Sequence, residues 1–457
     1  MVTLFKQDKI GTFEYLYFFV MIIYMAQLDN NTNRMIVNLS SPWFPFLLPI
    51  ILTIILLDRN KVKFDDKRLI RILLTFIIWT ALLFVHKTNY DSSQYSYYFF
   101  LLYSFVIAYI HIQVFGKKLF PLYENIMMKL CFIDLSLWGL CIIYPGFTNF
   151  FRSFPETNFG NNFFYIFNSL NPSIHNDIYI SNGIVRNSGF SWEPGRFAIM
   201  IVLALFCNLT RNGIKFRGNL SVIILLLTLA STQSTTGYIG AIVLYSFFSI
   251  KKFNLKYILA FLIFVVPITY QLSKLDFMQE KIESQLDLDT EIRKSNEVID
   301  YVNKTNRTNE YVSSLGRFQA MYYELINIQM DPILGYGRNP GKSYFSQRIA
   351  ANFSLPGGLL QTFGEHGIPL GLLLYIILFK SSKAIGRDFK IRGWTLFTIY
   401  LIFFTSYDIS TVPVFMAFWF YGLFKKEDID IPVDEEIEDK KNIDELATEN
   451  TIVNTIK

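Results

Sequence analysis

The sequence predicts an all-α integral membrane protein, a bundle of about twelve transmembrane helices with one large, partly helical extracytoplasmic loop. Three observations lead there. Hydrophobic residues make up 52% of the 457 residues, with 46 Phe and 27 Tyr. They fall in long runs with few polar breaks, as at 220–230 and 257–270. Such runs suit lipid because a helix satisfies its own backbone hydrogen bonds. Finally, lysine and arginine concentrate in alternate connections between the runs, the asymmetry that orients a polytopic chain.

Taken in order, the runs predict spans near 13–28, 43–57, 69–86, 97–115, 126–144 and 194–209. The second half adds 219–231, 236–250, 257–272, 357–379, 394–409 and 411–424. Lys6 and Lys9 precede the first run, but no small-residue cleavage site follows it, so it reads as an uncleaved helix. Several spans are shorter than the ~20 residues of an untilted crossing. The polar stretch Ser231-Thr232-Gln233-Ser234-Thr235-Thr236-Gly237 is read as a turn between two helices. Merging them would invert every later span. Cys131, Cys141 and Cys207 all lie inside apolar runs and read as small buried hydrophobes, with no disulfide framework or metal cluster.

The basic connections hold Arg59 to Arg71, Lys117 and Lys118, Arg211 to Arg217, Lys251 to Lys256, Lys380 to Arg392, and Lys425 and Lys426. They are expected in the cytoplasm. The opposite short connections, 29–42 and 87–96, carry only Arg34 and Lys87. Both termini are therefore expected inside. The net charge of +5 gives no reason to expect a nucleic-acid partner.

Two long connections, about 145–193 and 273–356, fall outside on this reading, and loops of that length are functional or disordered. Phe318, Met321, Leu325 and Ile328 recur at helical spacing, so the second contains an amphipathic helix. Residues 1–424 form the membrane domain, and 425–457 an acidic, disordered cytoplasmic tail. The chain shows no internal repeat, which weighs against a transporter.

Three stretches could carry chemistry. Arg186-Asn-Ser-Gly189-Phe-Ser-Trp192-Glu193-Pro194-Gly195 holds a guanidinium and a carboxylate close to the head of a span. Its structural reading is a positioning turn with Trp192 as an interfacial anchor. Gly316-Arg317 opens the amphipathic helix, and Asp331-Pro332-Ile-Leu-Gly335-Tyr336-Gly337-Arg338 ends it in a Gly-dependent turn. Paired arginines offer the planar, permanently charged donors that a pyrophosphate group needs, although a solvated loop Arg is the commoner occurrence. Phe363-Gly364-Glu365-His366-Gly367-Ile368-Pro369-Leu370-Gly371 places two ionisable groups inside a span. They either handle protons or pair with polar neighbours, as does Asp134 in the fifth span.

In order and spacing these stretches resemble the motifs of Wzy-type O-antigen and capsular polysaccharide polymerases, within the superfamily they share with O-antigen ligases. The resemblance covers roughly 180–380. It implies a multi-spanning glycosyltransferase of the bacterial plasma (inner) membrane that uses undecaprenyl-pyrophosphate-linked oligosaccharides as donor and acceptor. It implies no nucleotide sugar, metal or other cofactor, and allows a chain-length regulator as partner. By the same resemblance Arg186 and Arg317 are the pyrophosphate ligands; Arg338 and Glu365 are expected, from their own placement, as further substrate-binding residues. Ligases usually carry a His before the last motif, and Ala350-Ala-Asn-Phe-Ser354 has none. That favours polymerase over ligase and makes Glu193 the first choice of general base. A lipid-linked oligosaccharide flippase is the competitor from another class, but it needs no large outer loop.

Overall fold

The computed structural model describes residues 10–26, 44–64, 66–86, 92–144, 146–147, 167, 180–181, 184–191, 193–249, 313–314, 317–337, 343, 353–354, 358–407, 409 and 412–425. The described residues up to Phe424 form one compact unit. In chain order the helices are α1 (Thr12–Ala26), α2 (Phe44–Asn60), α3 (Lys67–His86), α4 (Ser92–Phe115) and α5 (Leu119–Ile143). A 3-10 turn at Gly116–Lys118 joins the last two. Then come α6 (Pro194–Asn212), α7 (Leu220–Ser231), α8 (Thr235–Ser249), α9 (Arg317–Met330), α10 (Gln361–Asp388), α11 (Thr395–Phe404) and α12 (Pro413–Phe424). The only strands among the described residues are two-residue pairs. Antiparallel β1 (Ile180–Ser181) and β2 (Ile184–Val185) form one, and parallel β3 (Ser313–Ser314) and β4 (Phe353–Ser354) the other.

Helices coincide with eleven of the expected spans, and the twelfth, 257–272, lies outside the described residues. Among the described residues, four stretches are long and apolar enough to cross a membrane: Lys67–Val85, Leu101–Ile143, Pro194–Asn212 and Gln361–Asp388. The chain is thus a helical membrane protein. The split of 219–250 is observed as α7 and α8, of 12 and 15 residues. At ~1.5 Å per residue these reach only about 18 and 22 Å. The amphipathic helix expected in the second long connection is α9.

Burial separates the helices into two kinds. α3 turns Leu74, Ile77, Ile78 and Val85 outward, as a helix solvated by lipid does. α6 is the opposite, since every residue from Pro194 to Thr210 is buried. It is packed by α5, α7 and α8. The start of α6 follows from Pro194 at its first position, and its end from Gly213 at φ +62°. α8 approaches α6 through two glycines: a Cβ on Gly237 would lie 2.6 Å from the Ala198 Cβ, and one on Gly240 3.3 Å from Val202. Small residues let membrane helices close in this way.

Polar side chains fasten the bundle at a few points. Glu124 of α5 accepts from Asn208 and Arg211 of α6, each at 2.5 Å. Asn208 also exchanges amide hydrogen bonds with Asn219, which caps α7. α12 packs against α4 and α10. The Trp419 Nε1–H donates to the Leu374 carbonyl at 2.9 Å, and Gln113 of α4 donates to the Phe424 carbonyl at 2.8 Å.

Candidate functional site

The turn ahead of α6 is built from its own side chains. Asn187 accepts from the Gly189 N–H at 2.9 Å, folding the chain back on itself. Gly189 has φ +57°, and a Cβ there would lie 2.4 Å from the Phe197 ring, so only glycine fits. The Asn187 amide donates to Asp134 Oδ2 of α5 at 2.6 Å and to Ser231 Oγ at 3.0 Å. Its backbone N–H donates to the Ser231 carbonyl at 3.0 Å. Arg186, half-buried, donates from Nε to the Thr232 carbonyl at 3.3 Å. The arginine is therefore anchored on the α7–α8 turn, near where α7 presents its unsatisfied carbonyls.

Glu193 is the N-cap of α6, in extended conformation, and makes no side-chain capping bond to its own helix. Its carboxylate accepts instead from the Tyr407 hydroxyl, just beyond α11. Gly195 makes room, since a Cβ there would lie 2.0 Å from the Tyr407 oxygen. The neighbouring Ser406 hydroxyl bonds Thr236 of α8 at 2.6 Å. Arg186 and Glu193 are thus tied to the same neighbourhood, the α7–α8 turn and the end of α11.

The two later motifs interlock through main chain. α10 is broken at Gly367 (φ 77°, ψ 165°), with Pro369 two residues on. The break frees backbone groups, and 331–337 fills them. Tyr336 N–H donates to the Gly364 carbonyl at 2.9 Å, and Gly337 N–H to the Glu365 carbonyl at 3.0 Å. In return Ile368 N–H donates to the Pro332 carbonyl at 2.8 Å. The glycines are required by contact with backbone. A Cβ on Gly335 would lie 2.5 Å from the Gly364 oxygen, and one on Gly367 2.0 Å from the Ile333 oxygen.

Behind this joint lies Glu324 of α9, 3% exposed. It accepts from the Tyr336 hydroxyl at 2.8 Å and from Asn327 at 3.4 Å. Its other face meets Gly364, where a Cβ would lie 2.1 Å from Oε2. Burial pushes the Glu324 carboxyl up to about 7, with the two hydrogen bonds opposing.

Glu365 and His366 are both buried and line a cleft between α3, α4, α10 and α12 with about 970 Å³ of empty space, open solvent included. Its walls are mostly apolar, and Gln361, Thr362, Glu365 and His366 make a polar patch on the α10 side. Gln361 donates to Glu365. Phe404, at the end of α11, lines the same cleft, and Gly358 lies against its carbonyl. The end of α11 therefore touches both halves of the candidate site.

Of the residues singled out in the sequence, Arg186 and Glu193 are brought to one neighbourhood and Glu365 to the cleft beside it. Arg317 is the first residue of α9, but its side chain lies outside the described residues, as does all of Arg338 and Trp192. Sequence reasoning missed Tyr407, Ser406, Asn187 and Glu324. The polar run Thr405-Ser-Tyr-Asp408 between two apolar helices was a legible signal for the first two. Glu324 carried no signal of its own beyond lying on the amphipathic helix.

No curated protein and no solved structure matches the chain. Residues 220–376 match the family model described as O-antigen ligase, a stretch that runs from α7 into α10 and contains both interlocked motifs. That match supports membership of the chain in the O-antigen polymerase/ligase superfamily.

Proposed function

We propose that the chain is a polymerase that joins undecaprenyl-pyrophosphate-linked oligosaccharide repeat units into O-antigen or capsular polysaccharide at the outer face of the bacterial plasma membrane. The observation that carries the reading is the gathering of Arg186, Glu193 and the polar rim of an apolar cleft around one end of α11. Both termini are cytoplasmic on this reading, which rests on the lysine and arginine asymmetry.

The reaction breaks the bond between the anomeric carbon of the donor glycan and the pyrophosphate oxygen. A hydroxyl of the acceptor repeat unit forms the new bond, and its proton passes to Glu193. Undecaprenyl pyrophosphate leaves with the electron pair, and its growing negative charge falls to Arg186 and Arg317. Donors fixed where charge develops stabilise the transition state more than the ground state.

Ligase chemistry is the second reading, favoured by the description of the matching family. Deleting the gene and resolving surface glycan on a gel separates the two. A polymerase deletion leaves single-repeat products. Loss of all surface glycan indicates a ligase or flippase, and unchanged long chains refute all three.

A further inference from the structure

We propose that Asp134 and Asn187 are a positioning pair that aims Arg186 from inside the bundle. The inference rests on the reading of Arg186 as a ligand of the leaving group. Asp134 is fully buried on α5, with buried Leu130 and Cys131 in the preceding turn. A carboxylate at such a site is costly unless hydrogen bonds compensate it, and intramembrane carboxylates therefore mark function by default. Its 2.6 Å bond goes to the amide of Asn187, the residue next to Arg186.

Asn187 is used on every side. Its amide reaches α5 and the end of α7, its carbonyl oxygen holds Gly189, and its own N–H holds the Ser231 carbonyl. Arg186 is referenced to the same end of α7, because its Nε bonds the carbonyl of the next residue, Thr232. The backbone of the arginine and its guanidinium are thus fixed to one rigid point, and α5 holds that point through Asp134. Trp138, one helical turn beyond Asp134, adds a second tie through the Val185 carbonyl at 2.9 Å. Two successive turns of α5 therefore hold the residues on either side of Arg186. The buried Asp134 carboxyl adds a short bond that sharpens the position.

The test uses the full-length protein in lipid nanodiscs with lipid-linked oligosaccharide. Asn187→Asp removes the amide donor that faces Asp134 and sets a second carboxyl there, and Asp134→Asn with Asn187→Asp restores an amide facing a carboxyl. Misplacing a group by ~1 Å costs on the order of 10²-fold, so Asn187→Asp should lower kcat by about that factor. KM for the donor should change less than kcat, because the pyrophosphate is already anionic when bound and gains further charge in the transition state. The double exchange should recover at least about tenfold of the loss. A merely structural pair would move the melting temperature and leave kcat per folded molecule untouched. If Asn187→Asp does not fold, Asn187→Ser takes its place, keeping the backbone bond but too short to reach Asp134. Wild-type kcat in the single variant, or no recovery in the exchange, overturns the pair. Arg186→Ala distinguishes the two levels: full activity there refutes the reading of Arg186 itself, whereas an inactive Arg186→Ala with an active Asn187→Asp refutes only the positioning.

Discussion

Replacing Glu324 by Gln should make the joint between α9 and α10 insensitive to pH. The carboxyl titrates near 7 in the folded protein against 4.5 in the unfolded chain. A raised carboxyl favours the folded state when protonated. Its stabilisation is complete below pH 4.5 and is lost as the pH rises through 7. Each unit of difference is worth about 1.4 kcal/mol, so ionisation costs the joint about 3 kcal/mol at pH 8 and about 1 kcal/mol at pH 5. Gln keeps an acceptor for the Tyr336 hydroxyl and cannot ionise. The readout is amide hydrogen exchange at Tyr336 and Gly337, whose N–H groups form the joint with Gly364 and Glu365. Comparing variant with wild type at each pH cancels the intrinsic pH dependence of exchange. Protection in Glu324→Gln should exceed wild type by about 100-fold at pH 8 and by only a few-fold at pH 5. An equal ratio at both values, or no gain at pH 8, would refute the assignment of a buried, titrating carboxyl.

Gly367→Ala should destabilise by about 3 kcal/mol or more, since left-handed backbone alone costs ~1–2 kcal/mol and the added methyl meets main chain that cannot rotate away. Gly139→Ala, in open space on α5, should be neutral or stabilise by up to ~1 kcal/mol, and thermal unfolding compares the two. Glu193→Gln should slow elongation by about 10²–10⁴-fold without loss of expression. Tyr407→Phe, which removes one hydrogen bond to the same carboxylate, should slow it only several-fold. Normal chain lengths from Glu193→Gln would return that residue to a structural role. For topology, half-buried Cys141 is first replaced, and single cysteines are placed at exposed Tyr322 and exposed Lys390. An impermeant thiol reagent should label position 322 from outside and position 390 only after permeabilisation, and the reverse would invert the orientation.

Hydrophobic runs and basic connections made the helices legible, because lipid demands both continuous apolar length and closed hydrogen bonding. Even the short α7–α8 pair followed, since orientation is a constraint on the whole chain. The motif glycines were legible as tight turns but not as a joint. Gly335 and Gly367 announce left-handed backbone, yet nothing in either motif says that the other supplies its hydrogen-bond partners. Asn187 could not be read from the sequence because its bonds reach α5 and α7, 53 and 44 residues away. Glu324 could not be singled out because helical periodicity reports which face is apolar and says nothing of a loop folding over the polar one.

The complete enclosure of α6 has a consequence for how the protein is made. The ribosome releases α6 before α7 and α8, the helices that later cover it, so for that interval only earlier segments can shield it. It carries Arg196, Asn208 and Arg211, and it is the least apolar of the four long apolar stretches among the described residues. Among the polar groups that meet it, the Glu124 carboxylate, near the cytoplasmic end of α5 on the charge-based orientation, is already made when Arg211 emerges. Glu124 is thus placed to pair with Arg211 early as well as to pin the finished bundle. Its loss should appear first as poor yield of membrane-integrated protein, upstream of any effect on the folded enzyme.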